Sequence, residues 1–223
     1  DATPIQTGLL TPTSTAGTYT TSSAANTALA NYIAAQYAAG APAGSYVFLR
    51  LNAQSDQAIS RFWVVSSADN SVTAQKPVLT VSFDPANISV TGSTADIAVE
   101  STGGFRFVGD QSYRVGDGGT NAYDQAVVIP FQLPTLPAGQ TVSGASLSVY
   151  LQSIGNTPSG NVDVYGLGWR SSNTVLASDY YEGSYGGDST DATPIENAIF
   201  TPTSAAGTYT TTSAADTALG DYL

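Results

Sequence analysis

The stretch ASLSVYL (Ala145–Leu151) alternates apolar and polar residues without a break. Leu147, Val149 and Leu151 face one way and Ser146, Ser148 and Tyr150 the other, which is the pattern of a β-strand with one buried face. Working outward, Tyr123–Phe131 and Asn161–Leu167 on either side are short and rich in β-branched and aromatic residues. So are Tyr46–Leu51 (YVFLRL), Arg61–Ser66 (RFWVVS) and Val78–Phe83 (VLTVSF), and a further strand series starts near Ile88. Turn chemistry separates these runs: Asp117-Gly118-Gly119, Pro137-Ala138-Gly139 and Thr157-Pro158-Ser159-Gly160. One helix stands out. Ser22 or Ser23 caps it, Leu29, Tyr32, Ile33 and Tyr37 form its apolar stripe, and Gly40 ends it. Many short strands and a single helix predict a mainly β protein, an antiparallel sandwich of jelly-roll type.

The chain repeats itself. Asp1–Ile33 (DATPIQTGLLTPTSTAGTYTTSSAANTALANYI) and Asp191–Leu223 (DATPIENAIFTPTSAAGTYTTTSAADTALGDYL) align without a gap at an offset of 190, with 22 of 33 positions identical. Solenoid units run about 20 to 50 residues, so this period is the size of a whole domain. Tandem modules of about 190 residues are therefore expected. The second copy enters the same helix after Ser213. Asp84-Pro85-Ala86-Asn87 reads as a boundary, which divides the chain into 1–84, the back part of one module, and 86–223, the front part of the next.

Composition narrows the function. Seventeen acidic residues face five Arg and the single Lys76, for a net charge of −11. Phosphate binding needs clustered Lys and Arg, so nucleic acid is excluded as a partner. No apolar run approaches the roughly 18 residues of a membrane-spanning helix. His, Cys and Met are absent. A chain without His or Cys has no Ser–His or Cys–His nucleophile and no imidazole ligand for a metal. A carboxylate pair could still hydrolyse a glycoside, but Glu100, Glu182 and Glu196 are the only glutamates and none has a suggestive setting. The reading is non-enzymatic and without a cofactor, calcium being the one metal the side chains suit.

Two loops gather hard oxygen ligands of the kind Ca²⁺ takes. Gly109–Asp124 carries Asp110, Asp117, Asn121 and Asp124; Ser178–Asp191 carries Asp179, Glu182, Asp188 and Asp191. Neither has EF-hand spacing, and Asp and Asn are also ordinary turn residues, which is the preferred reading. Sugar stacking needs exposed aromatic faces, and Trp169, Tyr180, Tyr181 and Tyr185 lie close together in a Gly-rich segment. Aromatic side chains are more often buried payload. Trp63, beside Phe62 and Val64, fits the core equally well. An isopeptide cross-link would have to use Lys76, and no partner for it is evident. The Ser/Thr-rich TPTSTAGTYTTSS invites O-glycosylation, but its apolar spacing reads better as a strand and turn ahead of the helix.

Three stretches resemble the bacterial secreted modules called DNRLRE domains, which are grouped with carbohydrate-binding modules: Val127–Leu151, Val162–Gly183 and Arg61–Phe83. The resemblance implies a β-sandwich from large exported surface proteins, some of whose relatives bind polysaccharide. The chain departs from the family at Ser66–Val72 (SSADNSV), where the family carries an Arg-containing stretch. The expectation is an extracellular or cell-surface structural repeat of a filament, stalk or surface layer, with copies of itself as partners. The alternative is an adhesive module that binds polysaccharide.

Overall fold

The computed structural model describes residues 9–54, 61–83, 86–101, 104–106, 109–117, 124–180 and 193–200, with backbone alone at 106, 117 and 193–200. Over these residues the protein is mainly antiparallel β, a curled sheet with one α-helix. The strands are β1 (Gly17–Thr20), β2 (Tyr46–Ala53), β3 (Phe62–Ser66), β4 (Val78–Phe83), β5 (Ala86–Thr91) and β6 (Ile97–Glu100). They continue with β7 (Phe105–Arg106), β8 (Ser112–Asp117), β9 (Asp124–Gln132), β10 (Val142–Gly155), β11 (Val162–Arg170) and β12 (Thr193–Phe200). Helix α1 spans Ser23–Ala38. The sheet runs β12-β11-β2-β9-β8-β3-β10-β4-β5, with β1 also on β10 and the β6–β7 pair on β9.

The alternation in ASLSVYL is realised in β10, where Ala145, Leu147, Val149 and Leu151 are buried and the residues between them are partly exposed. At 14 residues β10 is long enough to serve three neighbours. Its first half pairs with β4 (Leu147 opposite Leu79), its last residues with β3 (Ile154 opposite Trp63), and β1 joins between Ser148 and Leu151.

β2 and β9 are buried along almost their whole length because both their faces are covered. Val47, Leu49 and Leu51 join Val127, Ile129 and Phe131 in the main core. Phe48 joins Ala126 and Val128 in a smaller core on the opposite face, closed by Ile97, Val99, Val175 and Tyr180. Continuous apolar runs such as YVFLRL are what strands buried on both sides look like in sequence.

Helix α1 packs chiefly across β10 and buries Ala24, Ala25, Ala28, Leu29, Tyr32 and Ile33. Small alanines let the helix lie close to the sheet. Gly40, at φ +88°, turns the chain out of the helix, while the amides of Gly40 and Ala41 close back on the carbonyls of Tyr37 and Gln36 at 3.0 Å each.

On either side of the boundary expected at 84–86, β4 and β5 are antiparallel neighbours, with Phe83 opposite Ala86. β2 lies between β11 and β9, and β3 between β8 and β10. Residues 9–83 thus supply strands to the sheet built by 86–180, and the main core draws on both. The physical reason is edge satisfaction: without β2, β3 and β4, the strands β9, β8 and β10 would expose unpaired backbone and an apolar face.

Candidate functional site

Two polar clusters sit inside this fold. The first lies on the smaller core, under the segment 171–180 that follows β11 and strap-like crosses Phe48. Arg170, at the end of β11, pairs with the carboxylate of Asp179, its Nη1 donating to Oδ2 at 2.7 Å. The same Nη1 donates to the Thr174 carbonyl at 3.2 Å, and the guanidinium stacks 4.3 Å from the Phe48 ring centroid. Asp179 Oδ2 also accepts the Leu176 amide at 2.8 Å. From below, buried Arg50 donates to the Asp179 carbonyl at 3.0 Å and lies 4.9 Å from the Tyr165 ring. Asn173 ties the near end of the strap to Ser93 at 2.8 Å. Two arginines, one carboxylate and two aromatic faces therefore clamp a short irregular segment onto β2 and β11. The geometry is that of a brace: a planar guanidinium forks onto a carboxylate while its face rests on an aromatic ring.

Removing the carboxylate tests the brace. Asp179→Ala takes the carboxylate from Arg170, which keeps the Thr174 carbonyl, and takes the acceptor from the Leu176 amide. Breaking a fully buried pair costs about 3–5 kcal/mol, and the one-quarter exposure of Arg170 reduces this to about 2 kcal/mol. Urea unfolding should show that loss, and trypsin should cut after Arg170 faster than in the parent protein. Unchanged stability and cleavage would refute the brace.

The second cluster surrounds Tyr113 on β8. Asp96 is buried, and its Oδ2 accepts the Ala68 amide at 2.6 Å. The Tyr113 hydroxyl donates to the Asp96 carbonyl at 2.8 Å. Burial pushes the Asp96 carboxyl up to about 7, opposed by the Ala68 hydrogen bond and assisted by the negative charge of Asp69. Burial likewise raises the Tyr113 phenol, with Asp96, Asp69 and Asp110 all adding to the effect. Oδ1 of Asp96 and Oδ2 of Asp69 are buried without a hydrogen-bond partner among the described residues. A neutral, protonated Asp96 is the form that such surroundings favour.

Of the acidic loop expected between Gly109 and Asp124, β8 carries the stretch Ser112–Asp117. Asp117 faces Asp124 across the β8–β9 pairing, but the strand from Ser112 to Asp117 puts about 16 Å between its ends. Asp110, ahead of that strand, is exposed, and its carbonyl accepts the Ser67 hydroxyl at 2.5 Å. Asn121 lies outside the described residues. In the other acidic loop, Asp179 is engaged with Arg170, and Glu182, Asp188 and Asp191 lie outside the described residues. Among the described residues no group of three or more Asp or Glu side chains is arranged to hold a metal ion.

Of the four aromatics proposed for sugar stacking, two are described. Trp169 is partly exposed on β11 and packs against the main core. Tyr180 is only 6% exposed and belongs to the smaller core, so its ring face is taken up by packing. Tyr181 and Tyr185 lie outside the described residues. Trp63, the aromatic that fitted the core equally well, is fully buried, with its Nε1–H on the Thr11 carbonyl at 3.1 Å. No helix among the described residues is long and apolar enough to cross a membrane.

The Arg50–Arg170–Asp179 brace was not anticipated. Its signal was present: Arg50 is a lone charge inside YVFLRL, and a charge there must meet a partner. Comparison with protein-family models, with curated proteins and with solved structures produced no match.

Proposed function

We propose that this chain is a stretch of a secreted structural protein, a filament, stalk or surface layer built from jelly-roll-like modules of about 190 residues in tandem. The observation that carries the reading is the ungapped repeat of Asp1–Ile33 at Asp191–Leu223, 22 identities in 33 positions. Two further features support it. The polar clusters brace the fold rather than present a nucleophile beside a base, and charged residues make up only 10% of the chain. The resemblance to DNRLRE modules points the same way.

The test is a concatemer of residues 1–190. A compact module of that length has a radius of gyration of about 16 Å, hence a diameter of roughly 40 Å. Electron microscopy and small-angle scattering of two-, three- and four-module proteins should show rods that lengthen by roughly that amount per module. Glycan-array binding by one module, with no regular lengthening, would replace this reading with the polysaccharide-binding one.

A further inference from the structure

Residues 9–33 occupy a defined place on the sheet. Leu10 bridges to Val162 of β11. The Thr11 carbonyl accepts the Trp63 indole N–H. β1 lies along β10 with Thr18 opposite Tyr150. Thr21 exchanges hydrogen bonds with Leu147 in both directions at 2.7 Å, and its hydroxyl donates to Asn26 at 2.6 Å.

The second copy of the segment begins beside the first. β12 pairs with β11 so that Phe200 lies opposite Val162. Phe200 is the counterpart of Leu10 at the offset of 190, so equivalent residues of the two copies bridge to one and the same valine.

The differences between the copies follow burial. Thr11, Pro12, Ser14, Tyr19, Thr21, Ala24, Ala25, Ala28, Leu29 and Tyr32 are buried in the first copy and identical in the second. The other buried positions of 9–33 change only among apolar or small residues, as in Leu9 to Ile199, Leu10 to Phe200, Ala30 to Gly220 and Ile33 to Leu223. Thr15, Asn26 and Asn31, where chemistry or charge changes, are exposed or partly exposed, as is Ser22, which becomes Thr212. Asp216, in place of Asn26, retains a side-chain oxygen.

We propose that the surface of β3, β10 and β11 under residues 9–33 is a slot with two occupants, and that residues 199–223 of the same chain are the second. β12 already delivers the start of that segment to Val162, so its continuation needs no long excursion. The first copy holds the slot with a small advantage, because Gly220 replaces Ala30 within the helix and costs about 1 kcal/mol, roughly a factor of five. Exchange releases residues 9–33, which then fit the slot of another copy of the chain. In a tandem array, each module would be closed by its downstream neighbour's leading segment. That consequence rests on the repeat reading above; the exchange itself does not.

The absence of cysteine makes the test direct. Thr18→Cys with Tyr150→Cys places two thiols at paired strand positions, where Cα atoms are about 4.5–5.5 Å apart and a disulfide can close. Thr208→Cys with Tyr150→Cys asks the same of the second copy. In a glutathione buffer, both pairs are expected to form intrachain disulfides, the 208–150 bond at a several-fold lower yield. Leu29→Ala, which weakens the first occupant, should raise the 208–150 yield at least threefold. A third pair, Ala43→Cys with Tyr150→Cys, sets the background. A 208–150 yield no higher than that background, or insensitive to Leu29→Ala, overturns the proposal. So does a 208–150 bond found only between chains, since the second occupant would then be another molecule. Circular dichroism of each reduced variant shows whether it folds. If Leu29→Ala unfolds the chain, Thr11→Gly serves as the weaker perturbation, with the same expected rise.

Discussion

Trp63→Ala should lower the unfolding free energy by about 4 kcal/mol, within the range for truncating a buried tryptophan. The side chain is fully buried at the centre of the main core. It stands on β3, opposite Val115 of β8 on one side and Ile154 of β10 on the other. Alanine would leave a cavity between three strands and take the indole donor from the Thr11 carbonyl, which keeps the Ser14 amide. For a chain of this length, that loss corresponds to a fall of about 8–16 °C in Tm. Trp63→Phe keeps most of the volume and should cost only about 1–2 kcal/mol, chiefly for the lost hydrogen bond. The protein has only two tryptophans, so in either variant the fluorescence comes from Trp169 alone. A loss below about 1 kcal/mol for the alanine variant would show that the core is not centred on Trp63.

Trp63 also shows how far the sequence can be read. A strand at Phe62–Ser66 was legible because β-branched and aromatic residues cluster there, and β4 and β10 were legible from their alternation. Which strands would be neighbours was not. Val65 meets Tyr113 and Leu151, residues 48 and 86 positions away, and no local signal carries such a pairing. What the break at Asp84-Pro85 links was not legible either, since a Pro-containing break reads alike whether it joins two bodies or two neighbouring strands. β1 was read only as a strand ahead of the helix, and β6 and β8 went unread, because runs of four to six residues fall below what periodicity can resolve.

Asp96 should make the protein less stable as the pH rises from about 4 to about 7. Its carboxyl is raised from 3.8 to about 7 in the folded state, first by burial and further by the charge of Asp69. Between those two values the folded chain holds a proton that the unfolded chain has released, so unfolding releases a proton and a rising pH promotes it. The contribution is fully present below pH 4 and is lost as the pH passes about 7. Three units at 1.36 kcal/mol each set an upper limit of about 4 kcal/mol. The groups facing Asp96 fix the sign: Asp69 opposes its ionisation, and Lys76 favours it only weakly. Asp96→Asn keeps an acceptor for the Ala68 amide and removes the charge. The variant should match the parent near pH 4 and exceed it by about 2–4 kcal/mol at pH 8, as read from urea unfolding at each pH. The other carboxylates titrate in both proteins, so the difference between the two curves isolates Asp96. Parallel curves across that range would show that Asp96 is already ionised in the folded protein, and the buried neutral acid beside Tyr113 would have to be abandoned.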